Sequence, residues 1–176
     1  LGHMSVELRT GHAARLLGSA MALNALTSMA ALIRLLPERD PHANLFEVTL
    51  FILDLMSEEA MIGPLVVRWE LALLDELGFG LDLSRCAVSG ANDHLAYVSP
   101  RTGRAVSASA AAPYEDRLLR LPAFLAPGGA AGPVSKDELG AGFALTGYFL
   151  ATRVLEPNGA RLPQPRELLT SALQTR

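Results

Sequence analysis

The chain has 176 residues, half of them apolar and 19% charged, which fits one globular domain of ordinary size and excludes a disordered segment. The net charge of −3 gives no bulk attraction to nucleic acid. The single cysteine, Cys86, excludes an intramolecular disulfide and points to a reducing, cytoplasmic home.

In chain order, the opening Leu1-Gly-His-Met4 looks like the remnant of a cleaved tag, so the natural protein is expected to continue upstream of Ser5. Val6-Glu7-Leu8 alternates like the end of a strand. A charged leader and small-residue cleavage site are missing here. Residues 16–33 carry no charge and approach the roughly 20 residues of a membrane span. Ser19, Asn24, Thr27 and Ser28 interrupt the run, and alanine dominates it, so it reads as one central helix packed on most sides. Thr10 is its expected N-cap, and Pro37 stops it after Leu36.

A second helix is expected to open with Asp40 as cap and Pro41 in the first position, and to bury a stripe of Leu45, Phe46, Thr49, Leu50 and Leu53. Ser57-Glu58-Glu59 reads as a turn and acidic helix start, and Gly63-Pro64 opens a third helix carrying Trp69. Trp69, Leu73 and Leu77, with Val66 and Leu74, recur at helical steps. Gly78 follows the last apolar position, where a left-handed residue closes the final turn without a Cβ penalty. Three helices with short connections predict an antiparallel bundle.

The pattern changes after Leu81. Leu95 to Val98 reads as a strand, Ser99 to Gly103 as a turn, and Arg104 to Ser107 as a returning strand. Tyr114 to Leu121 predicts a short helix, and Ser135 with Glu138 forms a capping box for a long helix running through Phe143 to Leu155. Pro165 starts a last helix bearing Leu168, Leu169 and Leu173. The expected fold is mainly α. Residues 5–84 and 114–176 make a helical bundle, and residues 85–113 form a β-ribbon module inserted in it.

No catalytic signature stands out. Gly140-Ala-Gly-Phe-Ala-Leu-Thr-Gly147 superficially resembles a phosphate loop, but it lies inside an apolar helix pattern and lacks the terminal Gly-Lys-Ser/Thr, so close packing explains it better. His12, His42 and His94 are scattered and read as surface residues, and Asp75-Glu76 and Glu58-Glu59 as solvated helix faces. Cys86 has no visible His–Asp context and reads as an inert, partly buried thiol. The chain is read as non-enzymatic.

Glu76-Leu-Gly-Phe-Gly-Leu-Asp-Leu-Ser-Arg-Cys86, followed by Leu95-Ala-Tyr-Val-Ser-Pro-Arg-Thr-Gly103 and Pro122-Ala-Phe-Leu125, resembles the C-terminal part of RecO, a bacterial DNA-repair family. The resemblance covers roughly residues 5–176 and rests on the order and spacing of these segments. It implies a recombination mediator that anneals single-stranded DNA. With RecR, such a protein helps RecA load onto DNA coated by single-strand-binding protein, whose acidic, apolar C-terminal tail it also binds. The family's N-terminal OB-fold would lie upstream of Ser5. The implied location is the bacterial cytoplasm, at the nucleoid, with no membrane partner.

Many members carry two Cys-x-x-Cys pairs that hold zinc on the ribbon. By the same resemblance Cys86 matches the first ligand, whereas Ser89, Ser107 and Ala110 stand at the other three positions. Four thiolate or imidazole ligands are the norm for structural zinc. The expectation is therefore a degenerate, zinc-finger-like ribbon with no cofactor, held by packing of Leu95, Tyr97, Val98 and Val106.

Charge is uneven along the chain. Acids dominate from Glu38 to Asp82, and arginines from Arg85 to Arg120. Arg153, Arg161, Arg166 and Arg176 continue the basic run. Arg85, Arg101, Arg104, Arg117, Arg120 and Arg153 are thus candidates for contact with DNA or a partner. Arg68 joins them because it lies in the matching helix, although its neighbour Val67 stands where some members have another arginine. The rival readings are a helical scaffold unrelated to repair and an enzyme whose site assembles only in three dimensions.

Overall fold

The computed structural model describes residues 5, 7, 11–129 and 132–175. The tag remnant, most of the strand expected at 6–8 and the Thr10 cap lie outside the described residues. Helices α1 (His12–Leu16), α2 (Ala20–Ile33), α3 (Ala43–Leu55) and α4 (Glu59–Glu76) come first. A small sheet of β1 (Leu95–Val98), β2 (Ala105–Ser107) and β3 (Leu119–Arg120) follows, with the single-turn α5 (Ala108–Ala111) after β2. Helices α6 (Lys136–Phe149) and α7 (Gln164–Thr175) close the chain. The fold is mainly α, as its periodicity predicts.

The centre is α4, which packs against α2, α3 and α6. Val66, Val67, Trp69, Leu73 and Leu74 are inaccessible to solvent. Its end follows the expected chemistry. Gly78 sits at φ 82°, Phe79 N donates to the Leu74 carbonyl at 2.8 Å and Gly78 N to that of Asp75 at 2.9 Å. This is the paired closure a left-handed residue permits.

Several expected boundaries move. The expected single helix is split into α1 and α2, because Gly18 interrupts it and the Ser19 hydroxyl caps α2 by accepting from Ala22 N at 3.2 Å. Asp40 and Pro41 precede α3 instead of starting it. The chain turns at Arg39 (φ 66°), and the His42 ring, at the N-cap, is tied to Glu76 at 2.8 Å. His42 and Glu76 are therefore partly buried partners rather than surface groups. In α3 the buried positions are Leu45 and Ile52, whereas Phe46 is 59% exposed.

Helix α4 begins at Glu59, so Pro64 lies inside it. Glu59 in the first turn complements the helix dipole. Ala60, whose carbonyl would take the hydrogen bond that Pro64 cannot make, is exposed.

The sheet has the order β2-β1-β3, all antiparallel, with an irregularity between Leu95 and Tyr97. Its third strand replaces most of the helix expected at 114–121, of which only a 3-10 turn at Glu115–Arg117 remains. The physical reason is the open edge of β1. Ala96 O accepts from Leu121 N at 2.8 Å, and Tyr97 Oη donates to Glu115. Val98 and Ala105 are inaccessible and join the helical core.

The Ser135 hydroxyl accepts from Glu138 N at 3.2 Å, half of the expected capping box. The Glu138 carboxylate does not return the bond but accepts from Ala123 N at 2.8 Å, fastening the loop before α6. The glycines of α6 are packing residues: a Cβ on Gly142 would lie 3.1 Å from both Phe124 Cζ and Val67 Cγ1. The helix then widens into a π segment, Leu150–Leu155. Helix α7 lies against α2 and α6. No helix among the described residues is long and apolar enough to cross a membrane.

Candidate nucleic-acid and partner interface

The structure sorts the candidate arginines into three kinds. Arg68 and Arg153 are tied to backbone. Arg68 donates to Phe124 O at 2.7 Å, and Arg153 donates to the carbonyls of Pro100 and Arg101 at 3.2 and 2.7 Å. Arg104 and Arg120 face acids, Asp82 at 3.4 Å and Asp137 respectively. The hydrogen bond and charge of Asp137 raise the Arg120 pKa, which leaves that cation permanently charged. Arg85, Arg101 and Arg117 are exposed, and among the described residues their guanidinium groups have no hydrogen-bond or ion-pair partner.

Of the candidates, Arg101 and Arg153 are brought together at one concavity. The β1–β2 turn carries Arg101, Thr102 and Gly103, and Gly103 takes φ 69°, a left-handed conformation that suits glycine. Ser99 N donates to Arg104 O at 3.0 Å and Gly103 N to Ser99 O at 2.8 Å, which fixes the turn. Against it lie Gly78, Phe79 and Gly80 from the end of α4, and Phe149 and Arg153 from α6 and the π segment. Together they line a cleft of about 220 Å³. Phe79 is 40% exposed. Its aromatic side chain carries no sequence signal beyond its position between two glycines, and charge counting misses it.

A second concavity runs along α6. One end, of about 550 Å³, is lined by Arg120, Lys136, Asp137, Gly140, Ala141, Ala144 and Gln174. The adjoining part, of about 410 Å³, shares Gly140, Ala144 and Gln174 and reaches Tyr148 and Leu162. The small residues make its floor shallow and apolar, and Arg120 and Lys136 put positive charge at one end.

Arg166 does not belong to the basic surface. It is buried, with Nε 2.8 Å from Glu70 Oε1 and a terminal nitrogen 2.9 Å from Glu70 Oε2 and 2.9 Å from the Phe143 carbonyl. Thr146 Oγ1 also donates to Glu70. Gly147 makes room for this, since a Cβ there would sit 3.0 Å from the guanidinium nitrogens. Neither a lone glutamate on α4 nor a lone arginine on α7 announces the pairing in sequence.

The ribbon's sulfur sits where the resemblance puts the first zinc ligand. Cys86 is 1% exposed, and its Sγ accepts from Ser107 N at 3.3 Å, Ser107 Oγ at 3.5 Å and Ser89 N at 3.5 Å. The Ser89 hydroxyl instead accepts from Ala91 N at 3.4 Å, and Ala110 has no donor atom in its side chain. One thiol among hydroxyls does not fit structural zinc. No three His, Cys, Asp or Glu side chains among the described residues come together to hold a metal.

Burial pushes the Cys86 thiol up, but the hydrogen bonds from Ser107 and Ser89 outweigh it and bring its pKa down to about 6. An unfolded thiol titrates near about 8.5. The stabilisation is thus fully present above that value and is lost as pH falls towards 6. The melting temperature of the parent chain, relative to that of Cys86→Ala, is expected to climb between pH 6 and pH 8.5. A difference that stays flat over this window in calorimetry contradicts the thiolate.

Comparison with known proteins follows the same lines. The family model described as Recombination protein O C terminal matches residues 19–162. A DNA repair protein RecO from Methylobacterium nodulans is 50% identical over 175 residues, covering 97% of this chain and 71% of the relative. The Chelativorans sp. protein of the same name is 52% identical over 94% of this chain and 66% of its own length. That of Rhizobium etli is 51% identical over 95% and 65%. The chain thus spans about two thirds of the length of the curated relatives it matches. No solved structure gives a significant match. With the family model over most of its length and half its residues shared with such relatives, this chain belongs to the RecO family.

Proposed function

We propose that the chain is the helical part of a non-enzymatic recombination mediator in bacterial DNA repair. It binds single-stranded DNA and the acidic, apolar tail of single-strand-binding protein, and with RecR it helps RecA replace that protein on DNA at the nucleoid. The observation that carries the partner-binding part is the α6 groove. Its floor of Gly140, Ala141 and Ala144 admits apolar side chains, and Arg120 and Lys136 at one end complement a carboxylate. Arg120 is shared with Asp137, so a peptide carboxylate competes for a cation that is already oriented. Arg68 is spent on the Phe124 carbonyl and serves to hold that loop.

The test is fluorescence anisotropy with a labelled acidic peptide ending in Asp-Ile-Pro-Phe. Saturable binding is expected, weakened roughly tenfold by Ala144→Glu, which puts a like charge on the exposed floor. Binding that Ala144→Glu leaves untouched places the peptide elsewhere. Absence of binding by the parent chain removes the partner from the reading.

A further inference from the structure

We infer that the cleft between the β1–β2 turn and the end of α4 is a binding site for one nucleotide step of single-stranded nucleic acid, with phosphate on Arg101 and Arg153 and the base against Phe79. This deepens the mediator reading by giving DNA a specific place on the helical part, separate from the α6 groove.

Three observations support it. The two cations differ usefully. Arg153 is held by the Pro100 and Arg101 carbonyls, so its guanidinium is positioned before any ligand arrives. Arg101 has no partner among the described residues and is free to close on one. The wall is an aromatic ring left 40% exposed between Gly78 and Gly80, at a point where an apolar side chain gains nothing from solvent. A half-exposed ring in one cleft with two arginines is an arrangement that can stack a base while neutralising its phosphate, without reading sequence.

Size and polarity favour this occupant over a peptide. About 220 Å³ takes one planar group and not a run of side chains. Besides Phe79 and Phe149 the lining residues are Arg101, Arg153, Thr102 and three glycines, which suits an anion with one flat apolar face. Gly103 lets the turn pack closely on Leu81, since a Cβ there would approach Leu81 Cδ2 to 3.2 Å.

The experiment is anisotropy of a fluorescein-labelled oligothymidylate on the 176-residue chain across a salt series. Phe79→Ala and Arg101→Ala are each expected to weaken binding roughly tenfold. Arg101→Ala should also make the dependence of log K on log salt shallower by about 0.7 for one lost phosphate contact. Phe79→Tyr should restore binding, which a merely structural role for the ring does not predict. Arg161→Ala, an exposed arginine outside the cleft, should bind as the parent does. Both side chains are at least partly exposed, so melting curves of the variants should match the parent's. Variants that bind like the parent overturn the cleft while leaving DNA binding and the mediator reading intact. A parent chain that binds the peptide but not the oligonucleotide overturns the cleft together with the DNA-binding part of the mediator reading, and one that binds neither overturns the whole reading.

Discussion

Arg166→Ala is expected to destabilise the chain by about 3–5 kcal/mol, because it leaves the Glu70 carboxylate buried without its countercharge. Glu70 is inaccessible to solvent, and Arg166 supplies it with two hydrogen bonds of 2.8 and 2.9 Å while also satisfying the Phe143 carbonyl. Removing the guanidinium strands the charge and uncaps that carbonyl together. A domain of this size is stable by about 5–15 kcal/mol, so the loss brings it near unfolding at moderate temperature. At about 2–4 °C per kcal/mol the melting temperature should drop by roughly 6–20 °C. The double variant Glu70→Leu/Arg166→Met removes both charges and should recover most of the loss. Calorimetry of the three proteins decides it. A single variant that melts within a degree or two of the parent shows that the pair is not desolvated.

The second large effect is expected at Trp69. Its ring is fully buried in the middle of α4, and its Nε1 donates to Thr49 Oγ at 2.8 Å, while that hydroxyl donates to Leu45 O at 2.6 Å. Trp69→Ala should cost about 3–5 kcal/mol, combining lost transfer energy with a cavity among close-packed neighbours. Trp69→Phe keeps much of the volume and should cost considerably less, mainly the indole hydrogen bond and the space left behind. Urea unfolding gives both values. A cost below about 1 kcal/mol for the alanine variant shows that α3 collapses onto the gap, and with it that the core is more plastic than its burial suggests.

What the residues made legible follows a physical divide. Local, repeated signals carried through: the Trp69–Leu73 stripe, the Gly78 closure and the pairing of Leu95–Val98 with Ala105–Ser107 all depend on near neighbours. Features set by distant partners did not. Pro64 looked like a helix start because proline favours first turns, yet α4 takes it one turn in. Residues 114–121 carry helical composition, but a free edge on β1 took Leu119–Arg120 as a strand. The site divides in the same way. Arginine-rich stretches point to the ribbon as a candidate face, whereas Arg166 is counted with that charge because Glu70 lies 96 positions away in sequence. Phe79 carries no charge signal, and only the folded turn brings it into one cleft with Arg101.

That separation between Glu70 and Arg166 also bears on how the protein is made. During synthesis Glu70 leaves the ribosome 96 residues ahead of its countercharge, a lag of roughly 5–20 s at ordinary elongation rates. Helix α2, which packs against α7, waits still longer for its partner. The nascent bundle can therefore form α4 and its contacts with α3 early, but it cannot bury Glu70 at low cost until the last helix has emerged. Burial of the pair therefore waits for α7, and chains that stop short of it are expected to remain open and to be cleared by proteases.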